Sequence, residues 1–333
     1  VVKWDKRREN VMNNADWTDF TQGALRFETA EAGMLQPVRH TRRQLEIYSA
    51  DSEGRRIRAM ASAGVCLECE TDARALTLEG AAAPGSSQDI WAFDLFVDGR
   101  LYAHREGSIE REPRIAWTQP LPEGRKRLKL YFPTLSQTCV KTLTLEEASC
   151  IESVERRRKL LCLGDSITQG FITRFPSAAY ANVLARELDM EMLNQGVGGV
   201  MFDPAVVDGE TDYEPDVITV AYGTNDWVRK TMEAFSEDAA ACLKALRAVW
   251  SKARMAVVSP LWRRDIARED VRYAFGESEG VLRRLAEKNN ALFIPGGALL
   301  PAVPELTGDH VHPNDLGHLM IGRRLAERLK AVE

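Results

Sequence analysis

The sequence is poor in the residues and runs that would mark several function classes. Cysteine is scarce, six in 333 residues, too few for a fold stapled by disulfides. Histidine numbers five, so candidates for a general base are few. No run approaches the ~18 consecutive apolar residues of a membrane span. The opening Val1-Val2-Lys3-Trp4-Asp5-Lys6 has no apolar segment of a secretory signal, and cytoplasm is the expected compartment, although a processed secreted chain would look the same. Basic residues are not in excess: 44 Lys plus Arg stand against 49 Asp plus Glu, a net charge of -5. That balance argues against nucleic acid as the main partner. A Walker-type loop is missing, and Gly196-Val197-Gly198-Gly199 lacks the spacing of a dinucleotide fingerprint. Cys66-Leu67-Glu68-Cys69 has no second pair at metal-ligand spacing and reads as two ordinary thiols on a strand. No cofactor and no metal are implied.

What is present is ordinary globular composition, 44% hydrophobic and 28% charged. The length is about twice the ~150-residue prior for one domain, so two domains are expected, over 1–152 and 153–333. The first part alternates with period two in short runs: Gln44–Tyr48, Val65–Cys69, Ala75–Leu78, Ala92–Val97, Leu128–Phe132 and Lys141–Leu145. Turn signals divide them at Asp51-Ser52-Glu53-Gly54, Pro84-Gly85-Ser86-Ser87, Asp98-Gly99 and Pro122-Glu123-Gly124. Asp98-Gly99 is a two-residue hairpin signal. Many short strands at this spacing predict a β-sandwich, jelly-roll-like. The basic runs Arg55-Arg56 and Arg125-Lys126-Arg127 beside those turns read as solvated loop ends.

After Glu155-Arg156-Arg157-Arg158-Lys159 the pattern changes. Continuous apolar strands at Leu160–Leu163, Met190–Leu193, Val217–Ala221, Met255–Val258 and Ala291–Ile294 alternate with helical faces. Those faces are Tyr180/Val183/Leu184/Leu188, Leu243/Leu246/Trp250, Leu282/Leu285/Ala286 and Leu319/Ile321/Leu325/Leu329. This is the pattern of a parallel sheet covered on both sides, an α/β fold. Its ligands bind outside the carboxyl ends of the strands, so those ends are where chemistry is sought.

The first strand runs into Gly164-Asp165-Ser166-Ile167-Thr168-Gln169-Gly170. Ser166 there is either a helix cap or a nucleophile exposed at the top of the sheet. The second strand ends in Asn194-Gln195-Gly196-Val197-Gly198-Gly199, where glycines would let backbone N–H groups approach an oxyanion, or simply form a loop. The third ends in Tyr222-Gly223-Thr224-Asn225-Asp226-Trp227. Asn225 offers an amide donor there, or an ordinary turn residue. Asp309-His310-Val311-His312 precedes the last helix, so one tight loop could supply a general base and its orienting carboxylate. His310 and His318 are read as surface or structural residues. Trp227 and Trp262 fall at the same edge, as walls of a substrate site or as rim packing.

Four such blocks in this order resemble the SGNH (GDSL-type) hydrolase superfamily over about residues 159–333. The resemblance implies a three-layer α/β/α, flavodoxin-like domain. It implies a Ser166–His312–Asp309 triad and an oxyanion hole of the Ser166 N–H, the Gly199 N–H and the Asn225 amide, with Gly198 the near neighbour in register. Asp165 would hold the loop. A sandwich ahead of such a domain is similar to the organisation of carbohydrate esterase family 2. The expected activity is therefore a serine esterase cleaving short acyl esters, O-acetyl carbohydrates among them, with a small-molecule or carbohydrate ester as its partner. The alternatives are a lipolytic or thioester-cleaving hydrolase, and an inactive carbohydrate-binding module. Oligomeric state is not legible.

Overall fold

The computed structural model describes residues 17–332, so the opening Val1–Lys6 segment lies outside the described residues. The strands before residue 154 begin with β1 (Thr21–Gln22), β2 (Arg26–Thr29), β3 (Leu35–Val38), β4 (Cys66–Thr71) and β5 (Ala75–Pro84). They continue with β6 (Trp91–Val97), β7 (Arg100–Gly107), β8 (Arg114–Pro120), β9 (Lys126–Tyr131), β10 (Ser136–Glu146) and β11 (Ile151–Ser153). One antiparallel sheet is ordered β1-β4-β9-β6-β7, with β11 also on β4, and the other β2-β3-β10-β5-β8. Alternate residues of each sheet meet between them. Leu67, Phe93, Leu128 and Leu130 from the first pack with Leu76, Leu78, Leu143 and Leu145 from the second. This is a β-sandwich, each buried leucine contributing ~1.5–3 kcal/mol. The Asp98-Gly99 hairpin joins β6 to β7 with both residues at positive φ, 49° and 78°, as its two-residue turn demands.

Five parallel strands follow: β12 (Lys159–Gly164), β13 (Glu191–Gly196), β14 (Val217–Ala221), β15 (Arg254–Val258) and β16 (Leu292–Ile294). Their order, β13-β12-β14-β15-β16, is the flavodoxin-like one. Helices cover both faces. Phe235, Leu243 and Leu246 lie with Leu282 against Leu161, Ile218 and Val257. Tyr180, Leu184, Ile321 and Leu325 lie on the other face against Leu160, Cys162 and Ala256. The three-layer α/β/α expectation therefore holds. Among the described residues, no helix is long and apolar enough to cross a membrane.

One segment departs from the strand expectation. Gln44–Tyr48 lies inside helix α1 (Arg42–Asp51). A capping box decides it: the Thr41 hydroxyl accepts from the Gln44 N–H, and the Gln44 side chain accepts from the Thr41 N–H. Asp51-Ser52-Glu53-Gly54 is correspondingly a one-residue break, where Ser52 caps helix α2 (Glu53–Ala59). Arg55 and Arg56 are thus helical rather than loop residues. These two helices leave the sandwich and dock on the α/β layers, where Tyr48 and Ala59 join the core of the parallel sheet. The second basic run also differs: Lys126 opens β9 and is buried, its Nζ donating to the Ala73 carbonyl at 2.6 Å.

Between the two parts sits Arg39, fully buried directly after β3. Its Nε donates to the Ala61 carbonyl at 2.6 Å, and its Nη atoms reach the carbonyls of Asn194, Gly196, Arg58 and Ala59. No carboxylate among the described residues pairs with it. Burial pulls its pKa down to about 9, against a weaker upward pull from the Tyr48 hydroxyl. Replacing it by Met orphans these buried carbonyls. Arg39→Met is expected to cost about 3 kcal/mol or more, read by urea unfolding; an unchanged midpoint would show the cluster to be dispensable.

Candidate active site

The turn that carries Ser166 is built by close approach. β12 ends at Gly164, where a Cβ would lie 2.0 Å from the Thr168 hydroxyl, so the turn tolerates no side chain there. Helix α3 (Ser166–Gln169) starts at once, capped by the Asp165 carboxylate, which accepts the Ile167 N–H at 2.9 Å. The Ser166 N–H is a first-turn donor with no helical partner by position. Burial lifts the Asp165 carboxyl to about 6, opposed by the Ile167 N–H and by His312.

Ser166 Oγ lies 2.8 Å from His312 Nε2, and His312 Nδ1 lies 2.8 Å from Asp309 Oδ2. The second carboxylate oxygen, Oδ1, accepts the backbone N–H groups of Val311 and His312, each at 2.7 Å. Burial alone would raise the Asp309 pKa; the imidazole and the two N–H groups outweigh it and hold the carboxyl well below its usual range. An anionic Asp309 places the proton on Nδ1, leaving Nε2 free to accept from the Ser166 hydroxyl. The Phe171 ring stands 4.6 Å from the imidazole, centroid to centroid.

The two glycines of the β13 loop differ in their hydrogen bonding. The Gly198 N–H is occupied, donating to Gln169 Oε1 at 2.9 Å. Gly199, at φ 84°, has no such acceptor recorded for its N–H among the described residues. Asn225, at the start of helix α4 (Thr224–Arg229), donates through Nδ2 to the Val200 carbonyl at 3.0 Å. An amide carries two N–H donors, so one remains. Ser166, Gly199 and Asn225 thus come from the carboxyl ends of three neighbouring strands, β12, β13 and β14.

Two expected residues fare differently. Trp227 is 0% exposed; its indole donates to the Tyr273 carbonyl and lies under the Arg263 guanidinium. It packs inward, against Phe275, and offers a ligand no face. Trp262 is half-buried after β15. His310 is exposed, whereas His318 is fully buried, its Nδ1 accepting the Tyr180 N–H at 3.2 Å.

Sequence reasoning passed over Gln169, whose amide also donates to the Gly85 carbonyl of the sandwich at 3.1 Å. It passed over a polar clamp as well. Buried Asp94 accepts from the Ser177 N–H and pairs with His104, while Glu106 pairs with Arg174. The signal for Gln169 was its place inside the nucleophile block; the clamp joins residues some 80 positions apart and leaves no local signal.

Residues 162–320 match the model of the GDSL-like lipase/acylhydrolase family. The chain therefore carries a GDSL-like, SGNH-type hydrolase domain, that of a carboxylic ester hydrolase. No match is found among curated protein sequences. Solved structures share the whole two-part fold. A salicylyl-acyltransferase from a tetracycline biosynthetic pathway matches at TM-score 0.80 and 20% identity, covering 94% of each chain. A family two carbohydrate esterase from Clostridium thermocellum, in complex with cellohexaose, matches at 0.68 and 14%, covering 94% of this chain and 98% of that one. An acetyl xylan esterase from Butyrivibrio proteoclasticus matches at 0.66 and 15%, covering 96% and 97%.

Burial depresses the His318 pKa to about 3, against the upward pull of the Phe171 carbonyl. A base depressed when folded binds fewer protons than in the unfolded chain between pH 3 and its ordinary value near 6.5. Stability is then full above 6.5 and is lost as pH falls toward 3. His318→Gln keeps an acceptor without titrating, so its stability loss from pH 6.5 to 4.5 is expected to be smaller than the parent's by about 2–3 kcal/mol. Parallel acid slopes in urea titrations of the two chains would refute this.

Proposed function

We propose that the protein is a serine esterase that hydrolyses short acyl esters, O-acetyl groups of carbohydrates among them, through a Ser166–His312–Asp309 triad and an acyl-enzyme. The observation that carries this is the continuous relay at 2.8 Å from Ser166 Oγ to His312 Nε2 and from His312 Nδ1 to Asp309 Oδ2. In this reading Ser166 Oγ attacks the ester carbonyl while its proton passes to Nε2. The imidazolium that forms is stabilised by Asp309. Charge developing on the carbonyl oxygen meets the N–H groups of Ser166 and Gly199 and the free amide hydrogen of Asn225, each such donor being worth ~3–4 kcal/mol. The leaving alcohol takes the proton from His312, and water, deprotonated by the same ring, releases the acyl group and restores Ser166.

Ser166→Ala is expected to abolish turnover of p-nitrophenyl acetate and labelling by a fluorophosphonate. Asp309→Asn is expected to lower kcat about a thousand-fold or more while the chain stays folded. Retained turnover in Ser166→Ala would defeat the assignment, and an unlabelled Ser166 in the parent would favour a non-catalytic binding module.

The short-acyl part rests on the names of the similar structures, a carbohydrate esterase and an acetyl xylan esterase. In a p-nitrophenyl series from acetate to palmitate, kcat/KM is expected to fall with chain length. A rise toward palmitate would replace this reading by a lipolytic one.

A further inference from the structure

The loop carrying Gly198 and Gly199 is surrounded by arginines. Arg58 of α2 donates through Nη1 to the Gly198 carbonyl at 3.4 Å. Arg55, one turn earlier, and Arg229, at the end of α4, both donate to the Gly199 carbonyl, at 3.4 and 3.2 Å. Arg55 is neutralised by Asp51 at 2.8 Å. Arg58 and Arg229 have no carboxylate partner among the described residues. A Cβ on Gly199 would lie 3.7 Å from Arg58 Nη1, so this guanidinium lies directly beside Gly199. Partial burial first, and then the neighbouring charges of Arg55 and Arg229, depress the Arg58 pKa. A neutral ester would leave that crowding in place; a carboxylate relieves it and matches the guanidinium fork.

We infer that Arg58 and Arg229 form a subsite for a carboxylate carried by the ester substrate, next to Gly199. This rests on the esterase reading above and narrows its substrate class to anionic esters. The carboxylate could belong to the alcohol or to the acyl part, and matched pairs separate the two. On the alcohol side, 3-acetoxybenzoate is compared with phenyl acetate; on the acyl side, p-nitrophenyl hydrogen glutarate with p-nitrophenyl pentanoate.

For one pair, the anionic member is expected to exceed the neutral one in kcat/KM by about tenfold or more, and this ratio to collapse by a similar factor in Arg58→Gln/Arg229→Gln. Arg229→Gln alone, at an exposed position, is expected to lower the ratio too, which guards against misfolding of the double variant. Ratios at or below one in both pairs, or a ratio unchanged in the variants, would overturn the subsite. Should no ester turn over, the esterase reading fails separately. The subsite is then judged by calorimetric titration of 3-hydroxybenzoate and glutarate. Binding lost in the double variant supports it, and absence of binding to the parent chain overturns it.

Discussion

The arrangement of the site depends on a buried positive charge that has no buried negative one. Arg39 leaves β3 of the sandwich and spends its guanidinium on carbonyls: Ala61 and the end of α2 on one side, Asn194 and Gly196 of β13 on the other. Burying a cation is costly unless its donors are satisfied. Here they are satisfied by main-chain groups, so neither part of the protein can shift without exposing the charge or orphaning the carbonyls. Helix carbonyls at the end of α2 also suit a cation, because the helix dipole is negative there. One side chain thus locks β13, α2 and the sandwich into a single register. The loop that carries Gly198 and Gly199 begins two residues beyond Gly196.

Two aspartates near Ser166 show how environment divides roles between like groups. Asp165 is buried with a single backbone donor, and its carboxyl is lifted to about 6. Asp309 faces an imidazole and two N–H groups and is held far down. A carboxyl kept anionic can orient and stabilise an imidazolium; one half-neutral near pH 6 cannot do so reliably. The geometry agrees, since Asp165 bonds the backbone of its own turn whereas Asp309 bonds the ring of His312.

The parallel sheet was legible because its strands, covered on both faces, are continuous apolar runs. The candidate site could be sought from the sequence because strand ends in such folds collect the chemistry. Gln44–Tyr48 was not: Leu45 and Ile47 separated by Glu46 imitate a strand, while the deciding signal, Thr41 with Gln44 three residues on, is a cap. Trp227 was misplaced for a related reason. It stands two residues past Asn225, and that step around a helical turn carries it from the cleft to the interior. Contacts between distant segments, such as Asp94 with Ser177, have no pattern in the sequence at all.

These contacts bear on why a sandwich precedes the hydrolase layers. The Gln169 amide bridges the two parts: its Nε2 binds the Gly85 carbonyl of the sandwich, and its Oε1 occupies the Gly198 N–H. With Gly198 committed, the next N–H along the chain is that of Gly199, for which no acceptor is present among the described residues. Arg39 holds the same strand end, binding the Asn194 and Gly196 carbonyls. The sandwich side therefore does more than flank the hydrolase layers. Through Arg39, Gly85 and the α2 arginines it holds the loop that carries Gly198 and Gly199 and sets the charge beside it.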